Sequence, residues 1–296
     1  MVDVDDVEKR EPLGEAVGKG TTPMKLKRLI ALGLAAFTMV AFAAGCGSNT
    51  ADQKAAGDQL PKKIIVGLDD NYPPMGFHDD KGNIVGFDID MAKEAAKRAN
   101  MDIEFKPIDW DSKEAELKSK HIDVLWNGLT VTPEREKNMS FSIPYLVDTT
   151  EIVVKKDSPI QSVNDLKGKI VGTQQGSSAE TVLDKDPDTK QFKQLKKYGD
   201  FVSAFMDLEV GRIDALVVDS IVGQYNMAKK PGQFREVADP KFGKEDNAIG
   251  FRKEDNALRE KFNGILKQMM EDGTADKIAQ KWFGNTNMLD KSAFKN

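Results

Sequence analysis

Residues 121–136 read HIDVLWNGLTVTPERE. Ile122 to Leu125 is a short apolar run suited to a buried strand. Thr132 followed by Pro133 is a helix start, with Thr as N-cap and Pro at the first helical position. Between them lies a turn, Trp126 to Val131. The strand phrase recurs: I-D-V-L at 122–125 is echoed by I-D-A-L at 213–216. A second phrase, I-V-G at 65–67, is echoed at 170–172. Each half of the chain thus opens with an I-V-G strand and later offers an I-D-x-L strand, which predicts two α/β lobes of similar design.

Outward from these strands, Asp88 to Asn100 is predicted helical. Ile89, Ala92, Ala95, Ala96 and Ala99 recur at helix spacing, with Lys93, Glu94, Lys97 and Arg98 on the outer face. Ile103 to Phe105 reads as the next strand and Ser112 to Lys120 as a short helix. Strand alternating with helix implies a mostly parallel sheet. Glu151 to Lys155 is β-rich and is expected to cross from one lobe to the other. Residues 247–251 look like a return strand. Asn256 to Glu271 and Thr274 to Trp282 are predicted amphipathic helices, with Trp282 an anchor in the core. The expected lobes are 62–149 with 247–296, and 150–246.

The chain has 296 residues, a formal charge of −5, 40% hydrophobic and 31% charged residues. That is the profile of a globular protein with a highly charged surface, and its mild acidity lacks the basic footprint of a nucleic-acid binder. The one cysteine, Cys46, excludes an intrachain disulfide. The two histidines, His78 and His121, form no ligand-spaced cluster, so neither a metal nor a cofactor is expected.

Cys46 has a different context. From Met24 the sequence runs MKLKRLIALGLAAFTMVAFAAGCGSN. Lys25, Lys27 and Arg28 precede an uncharged apolar run, Leu29 to Ala44, and Ala43, Ala44 and Gly45 are small, as a cleavage site requires. The run is shorter than the ~20 residues that span a bilayer. Residues 24–45 are therefore read as an export signal. Residues 1–23 carry mixed charge ahead of it and are read as an extension upstream of a true start at Met24. Residues 46–61 are small and polar, a flexible tether.

In parallel α/β sheets, ligands bind beyond the C-terminal ends of the strands. Four such ends carry chemistry. Asp69 and Tyr72 lie in the turn DDNYPP. Arg135 lies in the first turn after Thr132, where the helix dipole disfavours a cation unless an anion is bound, and its guanidinium can grip a carboxylate with two hydrogen bonds. After the strand 169–173, Gly176 lets backbone approach closely, and Ser177 with Glu180 fits a capping box whose free N–H groups favour an anion. Asp219 ends the apolar run 215–218, where a carboxylate needs a partner; a ligand ammonium would serve. Each has a plain structural alternative: a surface turn, a surface ion pair, a simple cap, and a helix N-cap. Together they complement an α-amino acid.

The phrases DDNYPPMGF, GFDIDMAKEAAKRA, IDVLWNGLTVTPERE, FSIPY, DLKGKIVGTQQGSSAE, GRIDALVVD and GFRKEDNALR, in this order from Lys62 to Asn285, resemble the amino-acid-type solute-binding proteins of ABC importers. The segment ending in Cys46 resembles a bacterial lipobox, in which that cysteine is lipidated. The resemblance implies a type 2 periplasmic-binding fold whose two lobes are joined by a two-strand hinge. By position, it places Arg135 on the ligand carboxylate, Gly128, Thr130 and Ser178 on further hydrogen bonds, Asp219 on the ammonium, and Tyr72 and Trp110 beside the side chain. Asn127 stands where a small polar residue is common, and Met75 where Phe is common. Asp69 matches an acid that faces cationic side chains in some relatives and is shared by many, so it does not fix specificity; the ligand expected is a polar amino acid, arginine or lysine before cystine or glutamine. The implied partners are the free amino acid, a membrane permease and the membrane itself through the lipid, with the protein acting as a monomer. A same-fold enzyme such as a dehydratase would need a general acid or base in the cleft, for which His78 and His121 are poorly placed. A sensor or adhesin that uses the binding fold without transport is the other rival.

Overall fold

The computed structural model describes residues 60–237 and 242–295. The export signal, Cys46 and the tether as far as residue 59 lie outside these described residues.

The first lobe opens with β1 (Lys63–Leu68). Three short strands follow, β2 (Asn71–Tyr72), β3 (Gly76–His78) and β4 (Ile84–Val85), paired as a small antiparallel ribbon. Next is α1 (Phe87–Ala99), which buries the expected alanine face and ends on Asn100 in the left-handed conformation, φ 55°. Then come β5 (Asp102–Pro107), α2 (Lys113–Lys118) and β6 (Val124–Leu125). β5 and β6 flank β1, both parallel to it. α3 (Pro133–Glu136), β7 (Ser140–Phe141) and the long β8 (Leu146–Lys155) lead onward.

The second lobe repeats the plan with β9 (Ile170–Gln174), α4 (Ser178–Lys185), β10 (Gln194–Tyr198), α5 (Phe201–Glu209) and β11 (Ala215–Asp219). β10 and β11 flank β9 in parallel. α6 (Ser220–Lys229) and β12 (Phe234–Val237) follow. β13 (Lys244–Asn247) and β14 (Gly250–Phe251) return the chain to the first sheet, and α7 (Asn256–Glu271) and α8 (Thr274–Phe283) pack there against α1.

The two sequence echoes have one structural cause. Asp123 accepts from the Ile65 N–H at 2.9 Å, and Asp214 accepts from the Ile170 N–H at 2.8 Å. In each lobe the aspartate of I-D-x-L therefore stitches its own strand to the I-V-G strand. The glycine of that strand lies under the isoleucine: a Cβ on Gly67 would come 2.4 Å from Ile122 Cδ1, and one on Gly172 2.6 Å from Ile213 Cδ1. A side chain at either glycine would require the isoleucine methyl to shift.

The first sheet has the order β5-β1-β6-β14-β7, and the second β10-β9-β11-β8-β12 with β13 also on β8. β8 is the shared strand. Its Thr150–Lys155 portion pairs with β11 and β12 inside the second sheet, whereas Leu146–Thr149 pairs with β13 and Leu146 also bridges to Leu289. The crossing is thus Leu146–Thr149 beside Lys244–Asn247, earlier than the Glu151–Lys155 stretch expected. The β-rich composition at 151–155 marks burial within a sheet rather than passage between sheets. The expected 247–251 strand splits, because Ala248 N–H bonds to Leu129 O at 2.9 Å and Ile249 N–H to Ser142 Oγ at 2.9 Å. The segment after α8 runs along the crossing, with Val147 N–H bonded to Met288 O at 2.8 Å.

Candidate functional site

The ends of β1, β6, β9 and β11 converge where the two lobes face each other. Several of the contacts across this cleft come from the residues singled out in the sequence. Tyr72 Oη, from the first lobe, donates to Asp219 Oδ2 at the end of β11. Thr130 Oγ1 lies 3.3 Å from Ser178 Oγ, which lies 3.5 Å from Asp219 Oδ1. Arg135 Nη1 donates to Thr130 O at 2.7 Å, and Nη2 to Gly176 O in the second lobe at 3.0 Å. A guanidinium has five N–H donors, so donors remain on Arg135 beyond these two. Its backbone N–H bonds to the Thr132 side chain at 3.2 Å with Pro133 at the first helical position, as the T-P phrase predicts.

Gly128 has φ +57° and its N–H donates to Asp88 Oδ2 at 2.7 Å. A side chain there would meet left-handed strain and the Tyr72 ring, whose Cε1 lies 3.0 Å from the Cβ position. Asp88 also accepts from Tyr145 Oη at 2.7 Å. Its carboxyl is pushed up to about 7, because burial outweighs these two bonds.

Asp219 occupies the N-cap position of α6, but its side chain makes no cap bond. That task falls to Asp148, which accepts from Ser220 Oγ and from the Ile221 N–H. The Asp219 carboxylate is thereby released into the cleft, against the simple N-cap alternative. Burial first, then the charges of Glu245 and Asp148, hold its pKa well above the carboxylate range, and the hydrogen bond from Tyr72 and the charge of Arg135 oppose them. Arg135 itself is 6% exposed and Asp219 6%, so a guanidinium and a carboxyl group from opposite lobes lie buried in one cleft.

Asp69 meets the second lobe at Gln174. It is 5% exposed and accepts from the Asn71 N–H at 2.8 Å and from Gln174 Nε2, across the cleft, at 2.6 Å. Burial pushes its carboxyl up to about 6, against the pull of these two bonds. Asn127 Oδ1 accepts from the Asp69 N–H at 3.0 Å, while Asn127 Nδ2 and Gln174 Oε1 are buried without hydrogen-bond partners. The bonds made by their other atoms fix both amide orientations. Trp110 is 6% exposed and lies beneath the Lys113 ammonium, 5.1 Å from its ring centroid.

The Ser177–Glu180 box takes a shifted form. Ser177 Oγ accepts from Glu180 N–H at 3.0 Å, but Glu180 Oε2 reaches back to the Gly176 N–H at 2.5 Å. Met75 is wholly buried core. His78 pairs with Asp70 and Gly82 O, and His121 with Glu116, none of them among the cleft residues above.

Sequence reading passed over Gln174, Asp88, Lys113 and Glu245 as site residues. Gln174 stood in the quoted loop phrase, at the very end of its strand, and position alone could have flagged it. Glu245, which accepts from Thr130 at 3.0 Å and Thr150 at 2.7 Å, gave no local signal, because the return of β13 brings it in.

Residues 64–285 match the model of the bacterial extracellular solute-binding proteins, family 3. The chain is 32% identical over 265 residues to the L-cystine-binding protein TcyJ of Escherichia coli K12, covering 88% of this chain and 98% of that one. It is 37% identical over 261 residues to the arginine-binding extracellular protein ArtP of Bacillus subtilis 168, covering 87% and 98%. Among solved structures, a histidine-bound ABC uptake transporter substrate-binding protein from Streptococcus pneumoniae superposes with a TM-score of 0.75 at 34% identity, covering 78% of this chain and 95% of that one. With this match across both lobes, the chain belongs to the bacterial extracellular solute-binding proteins of family 3, with their two-lobed type 2 periplasmic-binding fold.

Proposed function

We propose that this protein captures a polar amino acid between its lobes and delivers it to an ABC importer, held at the membrane by a lipid on Cys46. One observation carries the reading: buried Arg135 and buried Asp219, from opposite lobes, flank the same Thr130–Ser178 contact. A carboxylate and an ammonium on one carbon complement that pair. Arg135 grips the carboxylate, with Thr130 and Ser178 supplying further hydrogen bonds, and Gly128, whose N–H is held by Asp88, offers its carbonyl to the ammonium. Asp219 takes the ammonium, and Tyr72 and Trp110 flank the side chain.

The side chain then points toward Asp69. The Asp69 carboxylate and the unpaired Gln174 Oε1 are both acceptors, and a guanidinium or ammonium supplies donors to both. Arginine or lysine is therefore the favoured ligand. Asn127 Nδ2, an unpaired donor, supports a second reading. Glutamine, or the far head group of cystine, offers an acceptor to it as well as donors to the other two. The named relatives bind cystine, arginine and histidine, so the family accommodates both chemistries.

The lipid anchor is supported by the order of charged, apolar and small residues before Cys46. A diacyl group anchors stably where a single chain does not, and the polar tether gives the lobes reach. A thermal-shift screen of the twenty amino acids plus cystine tests the ligand, since a ligand stabilises the state it binds. Arginine or lysine is expected to give the largest shift. No shift with any amino acid would remove the proposal.

A further inference from the structure

Lys113 is a lysine in an unusual place. It opens α2 and is 4% exposed. Lys113 takes part in none of the ion pairs closer than 4.0 Å among the described residues. Its Nζ donates instead to two backbone carbonyls, Trp110 O in its own turn at 3.1 Å and Gly176 O across the cleft at 2.8 Å. Arg135 Nη2 donates to the same Gly176 O at 3.0 Å. Two cations of the first lobe therefore meet on one carbonyl of the second.

A carbonyl carries only a partial charge and does not neutralise two cations. A buried ammonium is costly unless an anion answers it. Asp111, Glu114 and Glu180 lie near enough to oppose the effect, yet burial and then the Arg135 charge lower the amine to about 7. When the lobes part, Gly176 leaves and Lys113 regains water. The cost therefore belongs to closure. A carboxylate held by Arg135 would sit beside both cations and remove it.

We propose that Lys113 makes closure of this cleft conditional on a negative charge at Arg135. It is a positioning residue, acting through the Gly176 turn and the ligand carboxylate. The proposal rests on the amino-acid reading above for the source of that charge. The repulsion itself is a property of the ligand-free protein.

The test uses Lys113→Met, with Lys113→Gln as a second variant should the first fail to fold. In a Cys46→Ser background, dyes on Lys97→Cys and Lys193→Cys, exposed positions on the two lobes, report closure by single-molecule energy transfer. Without ligand, either substitution is expected to raise the closed fraction several-fold. An unchanged or lower closed fraction overturns the proposal. In a second arm, titration with L-arginine and L-argininamide reads the dependence on the carboxylate. The wild type should prefer the acid strongly, and the variants should narrow that preference roughly tenfold. Equal weakening of both compounds would reduce Lys113 to a packing residue and overturn the proposal. If the wild type binds neither compound, the arginine reading fails, and the ligand-free arm still decides the role of Lys113.

Discussion

The two ends of the cleft differ in how their charges are answered. At the Arg135 end, a buried cation from one lobe shares the cleft with a buried acid of the other, Asp219, without an ion pair closer than 4.0 Å between them. At the Asp69 end, the carboxylate has only neutral partners, the Asn71 N–H and the Gln174 amide. The first end is a dipolar socket whose chemistry suits the head group shared by all amino acids. The second is an acidic pocket whose chemistry depends on what side chain arrives. Capture and selection can therefore be carried by different residues.

The largest way to break this division is Arg135→Ala. Removing the charged partner of a desolvated carboxylate should cost about 3 kcal/mol, or roughly a hundredfold in Kd, for every amino acid alike. Calorimetry showing affinity retained would move the carboxylate site elsewhere. Asp219→Asn comes next, at about 2 kcal/mol, because Asn keeps an acceptor for Tyr72 while losing the charge. Here too the loss should be the same for cationic and neutral amino acids.

Asp69→Asn should do the opposite and sharpen the contrast. Affinity for arginine or lysine should fall roughly tenfold, with glutamine little affected. A uniform loss would show that the far end also serves the head group. An effect of similar size is expected with pH. Asp69 titrates near 6 in the folded protein against 3.8 ordinarily. A cationic ligand needs the ionised form, so arginine affinity should rise roughly tenfold between about pH 5 and pH 7. The ligand-free protein should respond with the reverse sign. Between about pH 4 and pH 6 the folded state holds a proton at Asp69 that the unfolded state has released, so this group's contribution to stability falls as pH rises. Asp148, also raised to about 6, acts in the same direction. A flat arginine isotherm series across this range would show that Asp69 does not face the ligand's charge.

Much of the fold was legible because its signals are local. The I-V-G and I-D-x-L phrases carry their own packing rule, a glycine under an isoleucine and an aspartate on the neighbouring strand's N–H, and the same rule operates in both lobes. The T-P helix start placed Arg135 in a first turn, and that is where it stands. The crossing between lobes was misplaced by a few residues, because β-propensity reports burial in a sheet and not which sheet a strand belongs to.

The site divides along the same line. Asp69, Tyr72, Trp110, Asn127, Gly128, Thr130, Arg135, Ser178 and Asp219 could each be picked out from a turn, a strand end or a resemblance. None of those signals says that Tyr72 reaches Asp219 across 147 positions of chain, or that Gln174 reaches Asp69 across 105. Lys113 reads locally as one more surface lysine on a charged helix. It becomes a buried cation only when the Gly176 turn of the other lobe lies on top of it. The sequence by itself determined two α/β lobes of one design and the residue types offered at their strand ends, because hydrophobic period, caps and glycines act over a few residues. Which of those residues face one another, and which charges are left to be answered, was decided only by the tertiary structure, because burial and Coulomb interactions depend on distance in space rather than along the chain.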